Sequence, residues 1–241
     1  METETLKTEL NIDIVQTPPV SKEYEAFRDR IWTEAVEEGK SVGKDFYNGV
    51  LYRFVGYDEE TQTVQLGLMQ YSDRLLKSKI SPDSIAEMFG RDHVMQHCVV
   101  NVILLTTDRR IAVGIKKNSV DLRPKKLAYI GGNLNANEVE VTKFEDIYTM
   151  MMKEIEEESS IVPEREKMDF VKLVVNGNWA SFYFLYRLNL SSEEIDKIYK
   201  EGEFLEFETM TPSEIAKTER IAIGDFNDSK AWIESLIESV E

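Results

Sequence analysis

Between Lys143 and Ser159 the apolar side chains of Phe144, Ile147, Tyr148, Met151, Met152 and Ile155 share one face of a helix. A helix patterned this way needs an apolar surface to cover, and its flanks supply one. "HCVVNVILLTTDRRIAVGIKK" before it reads as two apolar strands around a turn at Asp108. "DFVKLVVNG" and "WASFYFLYRLNL" after it read as a second pair around Asn176 and Gly177. Strands on both sides of one central helix restrict the fold to the α/β class with a mixed sheet.

The ends of that helix carry the chemistry. Thr142, followed three residues later by Glu145, fits a capping box, the hydroxyl capping the backbone and the carboxylate reaching back. The other end, "KEIEEESSI", holds four glutamates within five residues. At about 100° per residue, Glu156 falls opposite the apolar stripe, where a solvated carboxylate is harmless. Glu154 and Glu158 fall at the edge of the stripe, and Glu157 lies just beyond them. These three repel one another at helical spacing. Partial burial raises that cost, and so does the helix dipole in the last turn. A divalent cation relieves all three effects, and hard carboxylate oxygens select Mg²⁺, Mn²⁺ or Ca²⁺. The bland alternative is a wet acidic surface with no site.

Composition narrows the partners. The chain has 241 residues and a net charge of −16, which argues against binding nucleic acid through its phosphates. One cysteine, Cys98, in an apolar run permits no intrachain disulfide and suits a reducing compartment. The acidic start "METETLKTELNIDIV" lacks the pattern of a signal peptide, and no apolar run approaches the roughly 20 residues that span a bilayer. A cytoplasmic protein with no membrane partner is the expectation.

The front of the chain has its own pattern. "TPPV" breaks the chain before an amphipathic helix from about Ser21, with Phe27, Ile31 and Trp32 on its buried side. "VLYRFVGYD" and "TVQLGLMQYSD" read as paired strands, and "SPDSIAEMFG" as a short helix capped by Ser81 and ended by Gly90. A soft boundary near Arg91 divides an N-terminal α+β extension, 1–91, from a second part, 92–241, though the two can share one core. Late in the chain, "SSEEIDKIYKEG" reads as a helix with its cap at Ser191 or Ser192, "FLEFETMT" as a strand, and "PSEIAKTE" and "DSKAWIESLIESV" as helices.

The glutamate register resembles the Nudix hydrolase family, whose signature runs Gly, five residues, Glu, seven residues, then Arg-Glu-apolar-x-Glu-Glu-x-Gly-apolar. Glu145, seven residues, then Lys153, Glu154, Ile155, Glu156, Glu157, Glu158, Ser159, Ser160 and Ile161 fit its second half, and "AYIGG" sets Gly132 in the Gly position. Three departures stand out. The stretch from Gly132 to Glu145 is longer than the family pattern. Lys153 replaces Arg, which loses the planar fork. Ser160 replaces the Gly that ends the helix. "FYNGVLYRFVGYDEETQTVQLGLMQYSD" is similar to the N-terminal extension of the eukaryotic subgroup that hydrolyses UDP-sugars.

The resemblance implies a Nudix-type α/β/α sandwich with a mixed sheet. It implies Mg²⁺- or Mn²⁺-dependent hydrolysis of a nucleoside diphosphate linked to another moiety, such as a UDP-sugar or an ADP-ribose-like compound. Glu154, Glu157 and Glu158 would hold the metal, helped by a carbonyl of Gly131 or Gly132. One glutamate would serve as base, and Glu145 and Lys153 would orient the ligands. The basic loop of Lys116, Lys117, Arg123, Lys125 and Lys126 is a candidate to draw in the small-molecule nucleotide substrate. Trp179, Phe182 and Tyr183 are candidates to stack on a base, with core packing favoured for most of them. Two histidines, His93 and His97, with no cysteine nearby argue against zinc. A homodimer is the candidate assembly. The alternative function is a Nudix-like nucleotide-binding or regulatory module without catalysis.

Overall fold

The structure, a computed structural model, describes residues 10–41, 43, 45–116, 126–159, 161–177, 179–198, 204–220, 222 and 224–239. Strand β1 (Asn11–Ile14) is followed by α1 (Lys22–Ser41), β2 (Val50–Asp58), β3 (Thr63–Gln70), α2 (Tyr71–Lys79), α3 (Pro82–Phe89) and β4 (Gln96–Leu105). Then come β5 (Ile111–Lys116), β6 (Leu127–Ala128), β7 (Ile130–Asn133) and the glutamate helix α4 (Phe144–Ser159). The chain continues through β8 (Met168–Val175), β9 (Trp179–Arg187), β10 (Phe204–Met210), α5 (Pro212–Lys217), α6 (Gly224–Ser229) and α7 (Ile233–Ser239).

Among the described residues all ten strands join one mixed sheet, in the order β1-β3-β2-β4-β5-β10, with β7 and β9 on β4 and β8 on β9. β4 and β9 run parallel, and β4 pairs antiparallel with β2, β5 and β7. Alternation along β4 separates two faces, as the two-residue strand period requires. Cys98, Val100, Val102 and Leu104 pack with Phe144, Ile147, Met151 and Ile155 of α4. Ile103 and Leu105 pack with Ile215, Phe226, Ile233 and Ile237 of α5, α6 and α7. Helices thus cover both faces, giving the expected three-layer α/β arrangement. Ile147, Met151 and Ile155 are fully buried, each contributing on the order of 2 kcal/mol by removal from water.

The N-terminal helices form a third cluster, in which Tyr24, Leu76 and Ile85 pack on Leu51, Met69 and Met95. The sheet runs across residue 91: Arg53 and Phe54 of β2 pair with His97 and Gln96 of β4. The stretch after β7 is laid along β2. Tyr52 N–H donates to Leu134 O at 2.9 Å, Ala136 N–H to Val50 O at 2.9 Å, and Leu51 bridges Asn135.

Three local readings are corrected. Tyr71, Ser72 and Asp73, read as the tail of a strand, instead open α2, which is started by reciprocal bonds between Gln70 and Asp73. The helix expected from Ser191 to Gly202 is a 3₁₀ turn over Ser192–Lys197, capped by Ser191 with Glu194, and its expected end lies outside the described residues. The capping box of α4 uses a different acid. Asp146 Oδ2 accepts from Thr142 N (2.7 Å), Thr142 Oγ1 (2.9 Å) and Lys143 N (3.0 Å), leaving Glu145 to another partner.

Candidate active site

The last turns of α4 lie against the double glycine of β7. Glu156 is exposed and Ile155 buried, as the helical arithmetic requires. Glu158 is only 9 % exposed, and its Oε2 accepts from the Gly131 N–H at 3.2 Å. Glu154 is half-buried, and its carboxylate occupies the space in front of Gly132, where a Cβ would stand 2.1 Å from Oε1. Gly131 is confined from the other side, since a Cβ there would meet Val100 O at 2.2 Å. Close approach, of the Val100 backbone at Gly131 and of the Glu154 carboxylate at Gly132, rather than an unusual backbone angle accounts for glycine at these two positions.

Glu157 stands apart, with 57 % of its side chain exposed and its Oε1 3.6 Å from Lys153 Nζ. The Lys153 ammonium also holds Glu138 Oε2, and Glu138 Oε1 accepts from Asn135 Nδ2 at 2.6 Å. The hydrogen bond to Glu138 raises the Lys153 pKa above its usual value; desolvation opposes it, and the charges of Glu138, Glu157 and Glu154 add to the rise. Among the described residues no three acidic, histidine or cysteine side chains are gathered as a ready-made metal cluster.

Glu145 lies at the opposite end of α4 and does not touch Lys153. Its two oxygens receive Arg165 Nε at 2.7 Å and Nη2 at 3.1 Å, while the guanidinium carbon lies 3.4 Å from the centre of the Tyr148 ring. Arg165 Nη1 also donates to Met168 O at 3.0 Å, so this fork ties the start of α4 to the entry of β8.

Of the basic loop, Lys116 ends β5 with its ammonium 5.5 Å from the centre of the Phe204 ring, and Lys126 is buried. Lys117, Arg123 and Lys125 lie outside the described residues, as does Ser160. Phe182 and Tyr183 are fully buried in the sheet and belong to the core. Trp179 is half-buried, its Nε1 donating to Asp228 Oδ2 at 3.2 Å.

Sequence reasoning had not singled out Glu138 and Arg165. Glu138 sits in the stretch that lengthens the Gly132–Glu145 interval, where no spacing rule applies. Arg165 becomes visible only once β8 is folded beside α4.

No family model matches the chain, and no curated protein matches it. Among solved structures it is similar to the MutT protein from Methanosarcina mazei Go1, with 12 % identity and a TM-score of 0.41 over 61 % of this chain and 96 % of that one. It is similar to RenU, a Nudix hydrolase from M. smegmatis, with 9 % identity and a TM-score of 0.44 over 61 % and 88 % of the two chains. It is also similar to a MutT/nudix family protein from Enterococcus faecalis, with 15 % identity and a TM-score of 0.43 over 60 % and 62 %. Function is accordingly read from the residues. Among the described residues no helix is long and apolar enough to cross a membrane.

Proposed function

We propose that this chain is a Nudix-type hydrolase that cleaves a nucleoside diphosphate linked to another moiety at the diphosphate, with Mg²⁺ or Mn²⁺. The observation that carries this reading is the seating of Glu154 and Glu158 on the Gly132–Gly131 backbone. Two carboxylates in the last two turns of a helix, set close against a strand backbone, suit a divalent cation shared between them. The donor set fits a hard divalent ion: Glu154, Glu158 and the Gly132 carbonyl, with Glu157 recruited from Lys153. Such an ion, when bound, neutralises charge on the diphosphate and makes a bound water more acidic. Glu157, the most exposed of the three glutamates, is the best placed to take a proton from attacking water. In this reading 92–241 carries the site and 1–91 is an extension built onto the same sheet. The eukaryotic UDP-sugar-hydrolysing subgroup supplies the first substrates to try.

The test is a panel of UDP-glucose, ADP-ribose and NADH with Mg²⁺ or Mn²⁺, scored for release of a nucleoside monophosphate. Turnover that Glu157→Gln abolishes without a change in melting temperature supports the reading. Silence across a broad panel overturns it. A second reading, a nucleotide-binding module without catalysis, is favoured by one observation, the turn of Glu157 toward Lys153. It requires that the same nucleotides raise the melting temperature while no product forms.

A further inference from the structure

The stretch between β7 and α4 is held in a defined shape. Tyr52, buried on β2, grips it twice: its hydroxyl donates to Val139 O at 3.4 Å and accepts from Val141 N at 2.8 Å. Val50 N–H donates to Asn137 Oδ1 at 3.3 Å, and Asn137 Nδ2 donates to the Tyr47 hydroxyl at 3.2 Å. Asn135 closes a turn beneath them, its carbonyl accepting from Glu138 N and Val139 N, both at 3.1 Å. Glu138 projects from this turn with one oxygen on Asn135 Nδ2 and the other on Lys153 Nζ. Lys153 contacts both Glu138 and Glu157.

We propose that Glu138 is a positioning residue for the metal-binding carboxylates, holding the Lys153 ammonium so that it does not neutralise Glu157. This rests on the hydrolase reading above. Lys153 and Glu157 are i, i+4 on α4, a spacing at which an ammonium and a carboxylate pair readily. A lysine left to close on Glu157 would act as a resident cation, and a divalent ion would have to displace it. Glu138 supplies a competing carboxylate from outside the helix, and the closer contact of the ammonium is with Glu138. The β2 extension contributes through Tyr52, which fixes the loop on both sides of Glu138.

The test is Mn²⁺ binding to the full chain, followed by the electron paramagnetic resonance of free Mn²⁺. Three variants are compared with the wild type: Glu138→Gln, Lys153→Met and the double substitution. Glu138→Gln is expected to weaken Mn²⁺ about two- to five-fold, the size of a surface ion-pair effect. The double variant is expected to bind as Lys153→Met does, because without the ammonium there is nothing for Glu138 to restrain. Tyr52→Phe should weaken Mn²⁺ in the same direction by less, and Lys153→Met should cancel that loss too. Unchanged Mn²⁺ affinity in Glu138→Gln overturns the inference and leaves the hydrolase reading standing. So does an equal loss with and without Lys153, which would make Glu138 a direct ligand or a folding residue. Wild-type protein that binds no Mn²⁺ overturns the hydrolase reading and this inference with it. Melting curves of each variant separate loss of fold from loss of metal.

Discussion

The carboxylate of Glu154 and the Cα of Gly132 share a space that admits no further atom: a Cβ on Gly132 would lie 2.1 Å from Glu154 Oε1 and 2.6 Å from its carboxyl carbon. The obstructing group is the end of a flexible side chain rather than backbone. Gly132→Ala is therefore expected to fold with a loss below about 1 kcal/mol, yet to push Glu154 out of its seat. Hydrolysis and Mn²⁺ affinity should each fall about ten-fold or more, as for a misplaced metal ligand. Gly131→Ala is the contrast, because its Cβ meets Val100 O in the strand itself, and its main effect is expected in thermal melting. Equal melting temperatures for the two variants would contradict this assignment.

Arg165 holds Glu145 with two hydrogen bonds and covers Tyr148 with its guanidinium plane. Lysine cannot reproduce the fork or the stacking. Arg165→Lys and Glu145→Gln are each expected to lower stability in urea by about 1 kcal/mol, a figure kept small because both side chains are over a third exposed. A double variant no worse than either single one would show that the two act as a pair.

Asp146 caps α4 in place of the acid before it. Burial, the largest single effect, pushes its carboxyl upward, but the Thr142 and Lys143 donors together outweigh it and hold the group below the usual carboxylate range. A carboxyl whose folded pKa is depressed stabilises the fold above its unfolded value, about pH 4, and loses that contribution as pH falls through the lower folded value. Asp146→Asn is expected to be less stable than wild type at pH 7, by about 1 kcal/mol. The gap should close on acidification below pH 4. A gap that persists at pH 2 would show that the charge is irrelevant.

Lys77 behaves in the opposite sense. Burial above all, with Arg74 nearby, lowers its ammonium pKa to about 8, and Asp73 only partly offsets this. Between about pH 8 and the unfolded value of about 10.4 the unfolded chain binds more protons, so this group makes stability rise with pH. Below pH 8 it carries a constant burden. Lys77→Met should thus be more stable than wild type at pH 7, by up to about 3 kcal/mol. That advantage should shrink steadily above pH 8. Urea titrations at pH 7, 9 and 10.5 read this directly, and a difference that does not change with pH counts against it.

The glutamate helix was legible because its apolar stripe and its charges follow one period. The same 100° arithmetic that buries Ile155 leaves Glu156 in water and turns Glu158 inward. Its cap was not legible. Glu145 and Asp146 are adjacent acids, both within reach of Thr142, and only Arg165, 20 residues on, decides which is free to cap. Helix α2 escaped notice because its short apolar side, Leu75 and Leu76, follows a strand without a glycine or proline break. Glu138 could not be found from spacing, because its placement depends on a hydroxyl more than eighty residues earlier in the chain.

That hydroxyl has a consequence for anyone wishing to shorten the protein. Tyr52 lies before residue 91 and closes on Val139 and Val141 beyond it, while Leu134 gives its carbonyl to the Tyr52 amide. A fragment trimmed to start at 92 would keep every glutamate of α4 and lose the scaffold that shapes the approach to them. Supplied as two separate polypeptides, the pieces would have a ready seam for reunion along β2, so a split reporter cut in the short 3₁₀ turn at Arg91–His93 would report on that seam.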